Sequence, residues 1–157
     1  MADDDCRRWA GPIMPADAAA LADREAVRQL AMVYALGMDM RDLDLVLSCF
    51  DADGTGDGTA GVAPLHDYLR RTYAAAAAYR ATQHTMLNQY VALDGDAALL
   101  WTYGIAYHVQ HAGAGLADLT VGVHYRDRCR RTPRGWLVRD RKAVVQWTDG
   151  PLPLRPG

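Results

Sequence analysis

The sequence predicts an α+β fold: a cone-shaped, curved antiparallel sheet of about four to six strands, packed on three N-terminal helices. In the first half of the chain, apolar residues recur at three- and four-residue steps, as on a helix with one buried face. Beyond residue 80 the period changes to two, in long runs rich in aromatic and β-branched residues. Helices followed by a meander of strands are typical of an α+β domain, and a curved sheet closed by helices predicts an apolar pocket.

The three helices are located by their apolar stripes. The first is expected over 17–39, a short second one starts near residue 43, and the third covers about 64–80. Asp17 or Asp23 is suited to cap the first helix, because a carboxylate there accepts hydrogen bonds from unpaired backbone N–H groups.

A stretch rich in Gly, Asp and Thr, residues 51–61, is interpreted as a loop between the second and third helices. Its acidic residues follow the spacing of an EF-hand calcium loop. The twelfth position of that loop requires a bidentate Glu and is Val62 here, so calcium binding is rejected. No metal is expected.

Four strands are predicted over roughly 82–93, 97–111, 118–131 and 135–147. The connection Asp94-Gly95-Asp96 between the first two is a strong hairpin signal, since Gly supplies the positive φ that such a turn requires.

Two histidines lie far apart in sequence but at the same end of this hairpin. His84 lies near the start of the first strand and His108 near the end of the second, so antiparallel pairing brings them together as the expected centre of a small-molecule site. Side chains alternate between the two faces of a strand, so His108 lies on one face of the second strand. The opposite, bulkier face is expected to be core and carries Trp101, Tyr103, Ile105 and Tyr107. Alternation alone leaves open which face lines the pocket.

A carboxylate facing one of these histidines would give an acid–base pair. Asp39 ends the first helix, and a carboxylate there would orient the His84 ring and stabilise its imidazolium form. No Gly-x-Ser-x-Gly motif supplies a nucleophile. The pair therefore indicates proton abstraction next to a carbonyl, elimination of water or isomerisation. Taken singly, a histidine such as His84 is more often a hydrogen-bonded core residue than a catalytic one, and Asp39 is more often a solvated residue at a helix end.

Over roughly residues 20–147, the chain resembles the SnoaL-like family of the nuclear transport factor 2-like superfamily. The motifs that carry the resemblance are Arg24-Glu25-Ala26-Val27-Arg28-Gln29-Leu30, Tyr34, Asp39, Asp42-Leu43-Asp44, Thr82-Gln83-His84, Asn88, Gly95-Asp96-Ala97, Tyr125-Arg126-Asp127-Arg128, Gly135-Trp136 and Arg141. Relatives by fold include scytalone dehydratase, bile acid 7α-dehydratase, ketosteroid isomerase and polyketide cyclases.

The resemblance is closest to the dehydratases, and it implies a catalytic role for four residues. Tyr34 matches their helix tyrosine, Asp39 and His84 their catalytic pair, and His108 the second histidine of scytalone dehydratase. Candidate substrate contacts are Trp101, Tyr103, Asn88, His124 and Tyr68. The implied function is that of a cofactor-independent lyase, a dehydratase acting on an apolar hydroxylated carbonyl compound, as in secondary metabolism. A polyketide-type cyclase or double-bond isomerase, or a non-catalytic binding protein, remain alternatives.

Composition and charge exclude other classes of function. A formal net charge of −2 gives no reason to expect nucleic acid or an anionic membrane as a partner. Three cysteines without CxxC spacing fit a reducing cytoplasm better than a disulfide framework. The basic stretch 126–134 is expected to form a solvated face together with Asp127 and Asp140.

The chain is expected to form one domain, residues 16–149, between an N-terminal arm, 1–15, and an extended tail, 150–157. The acidic start and the absence of a long apolar run argue against a signal peptide or a membrane span. Self-association as a homodimer or homotrimer is expected from the resemblance.

Overall fold

A computed structural model describes residues 17–113 and 117–151 of the chain. These residues form three helices and six strands, in the order α1 (Ala18–Asp39), α2 (Leu43–Ser48), β1 (Phe50–Gly58), β2 (Gly61–Pro64), α3 (Leu65–Ala77), β3 (Ala81–Asp94), β4 (Ala97–Val109), β5 (Leu119–Thr132) and β6 (Gly135–Asp149). The predicted arm and residues 152–157 of the tail lie outside the described residues.

The six strands form one sheet in the order β2-β1-β6-β5-β4-β3, packed against the helices. The predicted α+β class is therefore confirmed. The sheet is mixed, and not antiparallel throughout as the sequence predicted, because β1 pairs in parallel with β6 while the other neighbours are antiparallel. It is also open, since β2 and β3 form its two edges.

Helix α1 follows from its cap and its apolar stripe. The Asp17 carboxylate accepts a hydrogen bond of 2.7 Å from the backbone N–H of Ala20, which satisfies an unpaired donor of the first turn. Gly37 lets α2 pack closely, because a Cβ at that position would lie 2.8 Å from Val46 Cγ2. The buried side of α1 is made by Val27, Leu30, Ala31, Tyr34, Ala35 and Met38.

The predicted loop at 51–61 is wrong, since most of this stretch forms β1 and the turn that leads to β2. The glycines are required by close packing rather than by a loop. A Cβ at Gly54 would lie 1.6 Å from the backbone carbonyl oxygen of Arg139, and one at Gly56 would lie 2.4 Å from the Tyr68 ring. Glycine composition therefore concealed a strand that α3 and β6 approach closely.

The two faces of β4 are reversed relative to the core expected from side-chain size. Ala98, Leu100, Thr102 and Ala106 are buried beneath the helices, whereas Trp101 and Tyr103 are only partly buried on the outer face. Large side chains from α1 and α3 occupy the space under the helices, and apart from Leu100 the inner positions of β4 are small.

The basic stretch at the end of β5 is not uniformly solvated as predicted. Asp127 is 2% exposed and lies on the inner face, because alternation along β5 turns every second residue toward the helices. In the described parts of the chain, no helix has both the length and the apolar character needed to cross a membrane.

Candidate active site

Asp39 and His84 meet where the end of α1 packs on β3. The Oδ1 atom of Asp39 lies 2.7 Å from Nδ1 of His84. The second carboxylate oxygen, Oδ2, accepts a hydrogen bond of 2.7 Å from the backbone N–H of His84. The hydroxyl of Thr82 donates a third hydrogen bond, 2.9 Å long, to Oδ1. The carboxylate is thus held by three donors from two residues of one strand.

This geometry assigns the tautomer of the His84 ring. A carboxylate accepts hydrogen bonds, so the nitrogen that contacts Asp39 must carry a proton. In the neutral ring, Nε2 then holds the lone pair and is the basic atom. Asp39 also stabilises the ring after Nε2 has taken up a second proton.

The pair is shielded but not sealed from solvent. The His84 side chain is 5% exposed and that of Asp39 is 25% exposed. Burial alone would raise the pKa of Asp39, but hydrogen bonds from the His84 ring, the His84 backbone and Thr82 hold that pKa below its ordinary value. Asp39 therefore stays ionised at neutral pH and can support a positive charge on the ring.

A cleft of about 300 Å³ opens beside the pair. Apart from Asp39 and His84, its lining is apolar and consists of Met32, Ala35, Leu36 and Met86. Met32 and Leu36 are exposed on α1 at its rim. An apolar ligand in this cleft would reach the acid–base pair from the side of α1.

The His108 ring also lies next to the His84 ring, with the two ring centroids 6.0 Å apart. Its Nδ1 is 3.2 Å from the backbone carbonyl oxygen of Leu119. Burial, together with the neighbouring His84 and Arg41, lowers the pKa of His108. His108 is therefore neutral at pH 7. Because the Leu119 carbonyl oxygen can only accept, the one proton of the neutral ring is on Nδ1, and Nε2 is a hydrogen-bond acceptor.

Tyr34 is the second ring next to His84, with centroids 6.1 Å apart in an edge-on arrangement. It is 2% exposed and also contacts Phe50 and Tyr125. Burial raises the pKa of Tyr34, and the nearby Arg141 offsets this only in part. The hydroxyl therefore stays protonated and can act as a hydrogen-bond donor.

The predicted substrate contacts do not gather around this pair. On the outer face of the sheet, the Tyr103 ring stacks on His124 at 4.2 Å, and Trp101 contacts the same histidine at 5.7 Å. Strand alternation places these three side chains on the face opposite to His84, which corrects their assignment to the pocket.

The other two predicted substrate contacts also lie away from the pair. Asn88 is exposed at an irregularity of β3. Tyr68 packs in the core against β1, and burial raises its pKa to about 12.

A model of the SnoaL-like domain family matches residues 19–142. The chain belongs to the SnoaL-like family. The fold is that of the nuclear transport factor 2-like superfamily, whose members include dehydratases, isomerases and dehydrochlorinases. No curated protein is significantly similar to this SnoaL-like chain in sequence.

Solved structures resemble this SnoaL-like protein over most of their lengths. The Kfla4162 protein from Kribbella flavida is 26% identical, with a TM-score of 0.74, over 83% of this chain and 95% of that one. A scytalone dehydratase-like protein from Novosphingobium aromaticivorans has a TM-score of 0.77 at 16% identity, over 87% and 92%. Hexachlorocyclohexane dehydrochlorinase LinA-type3 from Novosphingobium barchaimii has a TM-score of 0.75 at 13% identity, over 89% of this chain and 97% of that one.

Sequence reasoning missed two polar groups around the dyad of this SnoaL-like protein. Thr82 could have been found, since it precedes His84 by two residues and so shares its strand face. Arg41 had no comparable signal, because its reach to Thr82 depends on how α1 ends. Within 17–113 and 117–151, no group of three or more His, Cys, Asp or Glu side chains is arranged to hold a metal ion.

Proposed function

We propose that this protein is a cofactor-independent lyase that removes water from an apolar hydroxylated carbonyl compound, with Asp39 and His84 as its acid–base pair. The observation that carries the proposal is the contact of 2.7 Å between the Asp39 carboxylate and Nδ1 of His84 beside an apolar cleft. The contact leaves Nε2 as the basic atom of the ring.

The reaction begins with removal of the proton next to the carbonyl group by His84 Nε2. The electron pair of that C–H bond forms a carbon–carbon double bond, and the C–O bond to the hydroxyl group on the adjacent carbon breaks. The departing hydroxyl takes a proton from the His84 imidazolium, or from Tyr34, and leaves as water. Acid–base catalysis of this kind contributes roughly 10²–10⁴-fold to the rate.

Tyr34 would stabilise the enolate that develops on the carbonyl oxygen, because its ring lies 6.1 Å from that of His84 and its neutral hydroxyl is a hydrogen-bond donor. The His108 ring lies 6.0 Å from that of His84, but its one proton faces the Leu119 carbonyl, so its Nε2 would accept a hydrogen bond from the substrate. Burial keeps each of them uncharged, because it raises the pKa of Tyr34 and lowers that of His108. A neutral donor in a shielded site stabilises developing negative charge more strongly than it would in water.

The apolar lining of the cleft supports an apolar substrate. Two methionines and a leucine surround the opening to Asp39 and His84, and only the two catalytic side chains among the lining residues are charged or titratable. Two of the structural relatives are named as a scytalone dehydratase-like protein and a dehydrochlorinase, and both names denote eliminations. The proposal assigns elimination to the same fold here.

The test is turnover of a panel of cyclic and polyketide-like β-hydroxy ketones by purified protein. His84→Gln and Asp39→Asn should each lower kcat by roughly 10²–10⁴-fold. His111→Gln is the matched control, because it removes an exposed imidazole outside the cleft and should leave kcat unchanged. Urea unfolding of each variant separates loss of activity from loss of folding.

Product mass distinguishes dehydration from the other reactions open to the same pair. A product lighter than its substrate by one water supports the lyase. A product of unchanged mass would instead identify an isomerase, because that reaction shares the first proton transfer but expels nothing. Full activity in His84→Gln would overturn the acid–base role altogether.

A further inference from the structure

Arg41 occupies a backbone conformation that is normally reserved for glycine. Among the residues that the structure describes, it is the only non-glycine residue with positive φ, at 60°. It directly follows Met40, the C-cap of α1. The backbone N–H of Asp42 bonds to the carbonyl of Gly37 at 2.9 Å, and that of Arg41 to the carbonyl of Met38 at 3.4 Å. This is the Schellman pattern, in which the left-handed residue is usually glycine.

The Arg41 side chain forms contacts that a glycine could not supply. Its Nη1 lies 3.2 Å from the Met38 carbonyl oxygen and 3.2 Å from the Thr82 hydroxyl. Its Nη2 lies 3.2 Å from the carbonyl oxygen of Tyr79, just after α3. The guanidinium therefore joins the ends of two helices to the beginning of β3.

The contact with Thr82 determines the direction of a second hydrogen bond. Arginine can only donate, so the Thr82 oxygen must accept from Arg41. The single hydroxyl proton is then available for the Asp39 carboxylate, at 2.9 Å. Asp39 in turn contacts His84 Nδ1 at 2.7 Å. Four side chains thus form one ordered chain of donors and acceptors from Arg41 to the imidazole.

We propose that Arg41 is a positioning residue of the active site: it orients the Thr82 hydroxyl toward Asp39 and thereby fixes the carboxylate and the His84 ring. This inference rests on the proposed function, because it assigns Arg41 a task in the acid–base pair. A glycine would remove the backbone strain at residue 41 but could not supply these side-chain contacts.

The alternative role for Arg41 is that of a helix cap. Its contact with the Met38 carbonyl would then be the important one, and the contact with Thr82 incidental. Arg41→Gly separates the two roles. Glycine adopts the left-handed conformation without strain, so the end of α1 remains satisfied while the link to Thr82 is lost.

The experiment uses the full chain without any ligand and follows the His84 Nδ1–H proton by ¹⁵N-edited NMR. In Arg41→Gly we expect this proton to exchange with water about tenfold faster than in the wild type, as for the loss of a bond to a charged group. Thr82→Val should give the same acceleration, and the double variant should add nothing further, because both changes break one chain of contacts. Arg134→Gly, in the turn at the far end of β5 and β6, is the control that removes an exposed arginine.

Chemical rescue supplies a readout that a purely structural role would not affect. Millimolar ethylguanidinium should slow the exchange in Arg41→Gly back toward the wild-type rate, whereas equal concentrations of tetramethylammonium should not. Wild-type exchange in Arg41→Gly, together with accelerated exchange in Thr82→Val, would overturn the proposal. If Arg41→Gly does not fold, Arg41→Asn replaces it, since Asn tolerates the same φ.

The same spectra keep this proposal separate from the proposed function. If the wild-type ring carries its proton on Nε2 instead of Nδ1, the acid–base pair itself is wrong. If the wild-type proton lies on Nδ1, and its exchange is accelerated in Thr82→Val but not in Arg41→Gly, the acid–base pair is supported and the positioning role of Arg41 is rejected.

Discussion

Two of the carboxylates that pair with a nitrogen-bearing side chain, one at the cleft and one in the core, differ in almost every other respect. Asp39 and His84 lie beside a cleft, with the carboxylate side chain 25% exposed. Asp127 and Arg141 lie inside the core, with side chains 0% and 1% exposed. The core pair is bidentate, with N–O distances of 2.9 and 2.7 Å.

Aromatic rings surround the buried guanidinium group of Arg141. Its guanidinium lies 4.3 Å from the ring centroid of Tyr34, 4.6 Å from that of Tyr125 and 4.7 Å from that of Phe50. Burial disfavours the charge on Arg141, but Asp127 outweighs it and raises the pKa above its ordinary value. Arg141 is therefore protonated throughout the ordinary pH range.

The comparison teaches that pairing alone does not make a carboxylate functional. A partner that cannot lose its proton fixes the charge, and complete burial excludes a substrate, so the core pair can only stabilise or specify the fold. A titratable partner at a cleft can instead exchange protons. Tyr34 connects the two regions, since its ring contacts both Arg141 and His84.

The largest expected effect on folding comes from breaking the core pair. Asp127→Asn and Arg141→Met should each lower the free energy of unfolding by about 3–5 kcal/mol, because each leaves a buried charge without its partner. The double variant Asp127→Asn/Arg141→Met should be less destabilised than the sum of the two single variants, since no charge remains. Urea unfolding monitored by far-UV circular dichroism measures all of them.

The contrast between the two pairs would be wrong if the core pair were also catalytic. In that case the double variant would fold but would lose turnover as completely as His84→Gln. We expect instead that whatever fraction of it is folded retains most of the wild-type kcat, because neither side chain lines the cleft at Asp39.

Much of the fold was predictable because its local signals agree with the tertiary structure. The hairpin turn at Gly95 has the positive φ that its sequence indicates, and the first helix ends at Asp39 as predicted. The first strand was not predictable, since Gly54 and Gly56 are in a strand only because Arg139 and Tyr68 approach them closely. That packing is set by residues far away in the sequence.

In the candidate site, too, some contacts could be predicted from the sequence and others could not. The family resemblance and strand alternation bring Asp39 and His84 together, and the structure has them in contact. The assignment of Trp101 failed because side-chain size suggested the wrong inner face of β4. The hydrogen bond between Arg41 and Thr82 could not be predicted, because it requires Arg41 to adopt a left-handed backbone conformation that is uncommon for residues other than glycine.

A smaller effect is expected at the cleft. Asp39→Asn should lower the free energy of unfolding by about 1–2 kcal/mol at pH 7, since three hydrogen bonds are weakened but the group is partly solvated. Because folding lowers the pKa of Asp39, its contribution is complete above the unfolded value near ~3.9 and is lost as the pH falls through the folded value. The wild type and variant should therefore converge in urea unfolding below about pH 4. A loss as large as that of Asp127→Asn would give Asp39 a structural role.

His108 should make folding sensitive to acid in a higher pH range. Its pKa is lowered by burial, so the unfolded chain binds the proton first and stability falls as the pH drops below the unfolded value near ~6.5. The loss is complete once the pH is below the folded pKa. His108→Gln should therefore lose less stability than the wild type between pH 8 and pH 5, as measured by thermal unfolding. Equal losses in the two proteins would contradict the neutral state assigned to His108.

The smallest effect is expected at Thr102, which lies on the inner face of β4 directly opposite Tyr125 on β5. The residue is 0% exposed, and its hydroxyl has no hydrogen-bond partner among the described residues. Thr102→Val keeps the shape and removes the unsatisfied group, so it should leave the free energy of unfolding unchanged or raise it by up to about 1 kcal/mol. Thr132→Val is the matched control and should destabilise, because that hydroxyl donates to the Gly135 carbonyl and accepts from the backbone of Arg134. Destabilisation by Thr102→Val would mean that the buried hydroxyl is bonded in solution and that the inner face of β4 holds a polar ligand or water.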